Sequence, residues 1–198
     1  MNCKGDDNRS VRETKARIRT AFLELLKKKH YAKISVREIA EKANINRSTF
    51  YLHYQDVYDL LDQIEEQLNS QLVDALKKIT REGYVPGKHP QHTNFFKAMD
   101  RNIELYRILM SENGRAYFIP KMAETVRDAF YGHWSSFCGN DTPENLDMYV
   151  TYTAYGMIGI FLSQMDAEKQ KSVECMGYFA GEVTNWVDER FVALKPNG

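Results

Sequence analysis

The sequence predicts an all-α chain, with a small N-terminal three-helix domain over residues 1–54 and a larger helical domain over 55–198. Three observations carry this. Apolar residues recur at spacings of three and four along most of the chain, and no stretch alternates convincingly as a strand. The segment from Lys33 to Tyr54 reads as two short helices joined by a tight turn. Charge is segregated: residues 1–54 hold 13 Lys or Arg against 6 Asp or Glu, and residues 55–198 hold 14 against 21, so a balance of +7 faces one of −7 in a chain of net charge zero. With 198 residues and 43% hydrophobic content the chain can bury a proper core.

Residues 1–9 are polar and read as a mobile arm, where Asp6 and Asp7 cancel much of the charge of Lys4 and Arg9. From Ser10 a long amphipathic helix is expected to about His30, with Val11, Ile18, Phe22, Leu25 and Leu26 as its core stripe. Its last turn would be Lys27, Lys28, Lys29 and His30, cations that suit the negative end of a helix. Tyr31 and Ile34 then close the small core. Ser35 followed by Glu38 has the form of a capping box, so a helix should begin at Val36. Val36, Ile39, Ala40 and Ala43 make its buried stripe, and Arg37, Glu38, Glu41 and Lys42 stay in water. Asn44 ends it, because Asn tolerates the left-handed conformation a turn needs, and Ile45 fills the gap between helices. Asn46 is a second N-cap. The helix after it should run from Arg47 towards Tyr54, turning Phe50 and Tyr54 inward. Arg47, Ser48 and Tyr51 face outward, with Leu52 and His53 at an edge. No acidic side chain lies between Arg47 and Gln55, so this face suits a polyanion with readable edges better than it suits water.

This segment resembles the helix-turn-helix of the TetR family of bacterial transcriptional regulators. The matching residues are the S-V-R-E-I-A-E-K-A run at 35–43, Ile45, and S-T-F-Y-x-H-Y at 48–54 leading into a helix start with Leu60 and Leu61. The resemblance implies a sequence-specific, DNA-binding regulator of double-stranded operators. In this reading the protein is a cytoplasmic homodimeric repressor, released from a palindromic operator by a small apolar or aromatic effector. Carried over position by position, Arg47, Ser48 and Tyr51 would meet base edges, and Ser35, Arg37, Thr49 and His53 would meet phosphates. One departure stands out. Many relatives place a Lys near the start of the next helix where it can reach a phosphate, and this chain has Val57 after Asp56.

From Asp56 a single long helix is expected, with Leu60, Leu61, Ile64, Leu68, Leu72, Leu76 and Ile79 at helical spacing. Residues 83–92, GYVPGKHPQH, read as a solvated loop; His89 and His92 lack the acidic or Cys neighbours of a metal site. Residues 93–111 form one bent helix or two short ones, stopped at Asn113-Gly114, and a further helix covers about 117–137. Phe95, Phe96, Met99, Tyr106, Met110, Phe118, Met122 and Tyr155 lie on apolar stripes in this region and are the candidate lining of a ligand pocket, with packed core as the competing reading. Thr142-Pro143-Glu144 is a helix start signal, a hydroxyl cap with Pro at the first helical position. The helix it opens is apolar nearly all round, and Gly156-x-x-Gly159 permits close backbone approach. With the last helix, about 172–192, it offers more apolar face than one chain can hide. A symmetric four-helix dimer contact through Tyr152, Gly156, Ile160, Phe179, Val183 and Trp186 is the expected outlet.

Catalytic motifs are missing: there is no G-x-S-x-G, no phosphate loop and no H-E-x-x-H, so neither an enzyme nor a cofactor is expected. A protein-controlled or ligand-independent co-regulator of the same fold is the alternative function, with a helical small-molecule-binding enzyme behind it. Cys3, Cys138 and Cys175 are too scattered for a disulfide framework or a zinc site and read as free thiols. No apolar run approaches the roughly 20 residues of a membrane helix, and no metal or membrane partner is expected.

Overall fold

Helix is the only regular structure among the residues described by the computed structural model, which are 4–81, 90–138, 144–165 and 171–192. The chain divides into two compact units. One comprises Met1–Gln67 and Glu104–Ala116, the other Leu68–Ile103 and Tyr117–Gly198.

In the first unit, α1 (Lys4–Leu26) begins inside the stretch expected as a mobile arm. An i,i+4 pair between Arg9 and Glu13, Nε to Oε1 at 3.0 Å, supports its early turns. It also ends sooner than expected. The chain tightens after Leu26, with the Lys28 amide donating to the Leu25 carbonyl at 2.9 Å, so Lys27 and Lys28 form a turn and Lys27–His30 are not the last turn of the helix. Lys29 instead places Nζ 2.6 Å from Glu38 Oε1. Ile18, Phe22 and Leu26 are fully buried, but Val11 is 42% exposed and leaves the expected stripe.

The next helix, α2 (Val36–Ala43), starts where its capping box puts it. The Ser35 hydroxyl accepts from the Glu38 amide at 3.3 Å, and Glu38 Oε2 accepts from the Ser35 amide at 3.0 Å. Asn44 then turns left-handed at φ 51° and ψ 55°. Helix α3 (Arg47–Tyr51) is shorter than expected. Its last bonds tighten onto one acceptor, the Phe50 carbonyl, which receives the His53 amide at 2.9 Å and the Tyr54 amide at 3.0 Å. The Asn46 side chain makes no cap bond; the Asn46 backbone carbonyl takes the Thr49 amide at 3.0 Å instead. A reciprocal pair of bonds opens α4 (Val57–Arg81): Asp56 Oδ1 accepts from the Asp59 amide and Asp59 Oδ2 from the Gln55 amide, both at 2.8 Å. Val57 is buried.

From Glu104 onward, α6 (Ile103–Leu109) and the turn after it complete this unit. The Tyr31 amide donates to the Asn113 carbonyl at 3.0 Å, and Arg115 Nη1 lies 2.5 Å from Asp62 Oδ1 and 3.4 Å from Glu65 Oε2. Gly114 is required here, because a Cβ would overlap the Leu109 carbonyl.

The second unit is built from α5 (Pro90–Asp100), α7 (Phe118–Cys138), α8 (Leu146–Leu162) and α9 (Val173–Val192). Here α5 packs on α9, α7 packs on α8 and α9, and α8 packs on α9. The perpendicular Phe95–Phe96 rings and the Phe130–Trp134 pair, each with centroids 5.1 Å apart, fill its interior. Two expectations change, and a third finds no partner within the chain. Residues 90–92, read as loop, are the first turn of α5 with Pro90 at the position proline favours, and His92 is buried and not solvated. Residues 82–89 lie outside the described residues. Glu144 and Asn145 form a turn, so α8 starts at Leu146 and not at Pro143; Thr142 and Pro143 are likewise outside. Finally, Gly156 and Gly159 have no neighbour within 4 Å of an added Cβ. The close backbone approach is at Gly177, where a Cβ would stand 2.5 Å from Thr93 Cα and 2.6 Å from Thr93 N. No helix among the described residues is long and apolar enough to cross a membrane.

Two predictions follow from this packing. Gly177→Ala should destabilise by about 1–3 kcal/mol through overpacking against backbone that cannot swing away, whereas Gly132→Ala, with open space at its Cβ, should not, as urea titrations of the two variants will show. Lys29 first, then the Ser35 hydroxyl and amide, hold the Glu38 carboxyl down to about 2 from an ordinary 4.5. A depressed carboxylate contributes stability above its unfolded pKa and loses it as pH falls through the folded one. The urea midpoint of Glu38→Gln should therefore lie below that of the native chain by a constant margin above about pH 5, and the margin should shrink between 4.5 and 2.

Candidate nucleic-acid interface

The orientation of α3 is set from its inner side. Phe50 is fully buried, Tyr54 is 4% exposed, and their rings lie 5.6 Å apart. The opposite side is left to solvent: Arg47, Ser48 and Tyr51 are exposed, and the Tyr51 ring stands edge-on to Phe50 at 5.7 Å. Arg47 has no hydrogen-bond or ion-pair partner among the described residues. The nearby acids of α2 are engaged, Glu38 by Lys29 and Glu41 by Arg37 at 2.7 Å. The face therefore presents an unpaired guanidinium, a hydroxyl and a phenol, a donor set that matches base edges and phosphates.

The other DNA-facing candidates differ in how free they are. Arg37 remains exposed, and an exposed i,i+4 pair is worth at most about 1 kcal/mol, so Glu41 does not lock it. The Ser35 hydroxyl donates to Glu38 Oε2 at 2.8 Å, so its proton is directed into the helix cap. Thr49 and His53 are half-buried on the flanks of α3.

Sequence reasoning did not find the side chain that holds the turn. Arg17, on α1, donates from Nη2 to the Asn44 carbonyl at 2.9 Å. Asn44 is the only non-glycine residue with positive φ among the described residues, and about two turns of α1 further on Glu24 meets Lys42 at 2.5 Å. Nothing in the local pattern of α1 marks Arg17, because its partner is a backbone oxygen 27 residues away.

The remaining candidates separate into two groups. Phe95, Phe96, Met99, Phe118 and Met122 are each buried in the second unit; Tyr106, buried, and Met110, half-buried, belong to the first, and Tyr155 is exposed at 55%. Burial pushes the Tyr106 hydroxyl well above the ordinary phenol range. On the second unit, Tyr152, Gly156, Ile160, Phe179 and Val183 line one furrow between α8 and α9. Tyr152, Val183 and Trp186 also border a groove of about 740 Å³ with Met148 and Tyr149. Met148 (73%), Tyr152 (67%), Phe179 (58%) and Trp186 (53%) make this a continuous apolar surface. No group of three His, Cys, Asp or Glu suited to a metal occurs among the described residues.

Residues 18–64 match the family of bacterial regulatory proteins described as tetR, and residues 89–189 match a transcriptional regulator C-terminal region. The chain is 27% identical over 172 residues, 86% of its length, to the uncharacterized HTH-type transcriptional regulator YxbF of Bacillus subtilis strain 168, and it spans 44% of that relative's length. In fold it is similar to a TetR transcriptional regulator from Streptococcus agalactiae 2603V, with TM-score 0.60 and 20% identity over 98% of this chain and all of that one. It is also similar to the dihydroxyacetone kinase operon activator DhaS, with TM-score 0.59 and 17% identity over 92% of this chain and 98% of that one. The capped helix pair with its cationic outer face lies inside one of the two matched segments and the helices from α5 to most of α9 inside the other; the chain belongs to the TetR family of DNA-binding bacterial transcriptional regulators, which are not enzymes.

Proposed function

We propose that the protein is a cytoplasmic homodimeric repressor that binds a palindromic operator through residues 1–54 and is released from it by a small apolar or aromatic ligand held in residues 55–198. The observation that carries the DNA side is the unpaired Arg47 beside Ser48 and Tyr51 on a helix whose other side is anchored by Phe50. In this reading α3 enters the major groove, Arg47, Ser48 and Tyr51 reach base edges, and Ser35, Arg37, Thr49 and His53 approach phosphates. Val57, buried at the start of α4, adds no phosphate contact there.

The dimer reading is supported by the exposed apolar surface of α8 and α9. Gly156 and Gly159 lie on α8 with open space around them, so the backbone of a second copy can come close. The ligand reading is supported by Phe95, Phe96, Met99, Phe118 and Met122, apolar and adaptable side chains gathered inside one unit. Such a ligand releases DNA only by preferring a conformation in which the two α3 helices no longer match the groove spacing. A second reading, an activator or a protein-controlled co-regulator, draws on the groove beside Trp186 and on the operon activator among the similar folds.

Arg47→Ala should cost roughly 1–3 kcal/mol on the selected operator and little on other duplexes, while Arg37→Ala should weaken all duplexes alike and reduce the salt slope. Binding that ignores both changes across a salt series refutes the contact assignment. A charge placed at Ile160 or Phe179 should give monomers in sedimentation that lose operator binding, because two half-sites about 34–36 Å apart need two linked heads. Release of the operator by lipophilic metabolites separates the ligand reading from the protein-controlled one.

A further inference from the structure

Leu52 is the most exposed large apolar side chain among the described residues, at 80%. A single exposed Leu is ordinary on a protein surface. Its place on α3 is not. At 3.6 residues per turn, Leu52 lies about 160° around the helix from the buried Phe50, on the same outer row as Ser48 one turn earlier. Its backbone keeps the helical conformation, at φ −70° and ψ −18°, with its amide bonded to the Ser48 carbonyl at 3.2 Å. Leu52 thus projects from the side of α3 farthest from the core, beside Tyr51, while every residue from Arg47 to Tyr54 is free of negative charge.

We propose that Leu52 is a specificity-determining residue that reads the 5-methyl group of a thymine in the major groove. The inference rests on the seating of α3 proposed above. The base edges of that groove carry donors, acceptors and a single apolar feature, the thymine methyl. A leucine facing them gains nothing from the polar sites and desolvates them at a cost, whereas methyl against methyl removes apolar area from water on both sides. Leu52 is five residues beyond Arg47, about 7.5 Å along the helix at 1.5 Å per residue. With α3 lying along the groove, that places its thymine about two base pairs from the base met by Arg47, at 3.4 Å per step.

The test uses duplexes selected by the full chain from a random pool, with each thymine of the half-site replaced in turn by deoxyuridine, which lacks only the methyl. One position should lose about fourfold in affinity for the native chain, the value of one buried methyl-sized group. Leu52→Ala, at a side chain outside the core, should melt as the native chain does and show no loss from the same replacement. Arg47→Ala, weaker overall, should retain the fourfold loss. A half-site without thymine, replacements that are neutral everywhere, or a loss that persists undiminished in Leu52→Ala overturns the proposal. Leu52→Ala weakening every duplex equally, with deoxyuridine and thymine alike, also overturns it, since Leu52 would then be packing on sugar and backbone. Selection of no duplex at all defeats the DNA-contact reading beneath it, so the two failures are distinct.

Discussion

A five-residue helix has no stability of its own, because one turn fixes several dihedrals for a single hydrogen bond. Helix α3 exists because Phe50 and Tyr54 are buried, with exposures of 0% and 4%, and because the turn before it is held in place. Asn44 is left-handed there, and the Arg17 guanidinium takes its carbonyl. The outward direction of Arg47, Ser48, Tyr51 and Leu52 is a consequence of those inward anchors. Specificity for a base edge demands that kind of rigidity, since a side chain on a fraying turn would have to be ordered on binding.

Electrostatics in the first unit is arranged around the same helix. Glu38 is committed twice, to the cap of α2 and to Lys29, and its depressed carboxyl keeps the cap charged into acid where an ordinary carboxyl is protonated. Glu41 and Glu24 are each covered by a cation, Arg37 and Lys42. These exposed pairs are individually weak, so they cost little to open when a phosphate competes for Arg37. Arg47, on the surface proposed to meet DNA, has no ion-pair partner among the described residues.

The second unit shows what a small-residue pattern leaves open when read along one helix. Gly156-x-x-Gly159 has the spacing of a close helix contact, yet both glycines face open space in the single chain. The contact that does need glycine is at Gly177, against Thr93, from an element far away in sequence. Helical periodicity placed α5, α7 and α9 within a few residues, but their partners were not legible: α5 lies along α9, and no motif on either announces the other. Similarly, Glu104–Ala116 joins the first unit through Arg115 on Asp62 and Glu65, ion pairs across some fifty residues.

By itself the sequence determined the features that arise from neighbours along the chain. The capping box at Ser35, the left-handed stop at Asn44, the inward Phe50 and the outward Arg47 all follow from side chains acting within one or two turns, where geometry is set by local covalent distance. The tertiary structure alone decided what depends on contacts between distant segments: Arg17 on the Asn44 carbonyl, the exposure of Val11 and the burial of His92, the glycine at 177, and which apolar faces of α8 and α9 stay uncovered. Periodicity reports that a face is apolar. Which of several apolar faces is covered, and by what, is a competition among all of them that only the folded chain resolves.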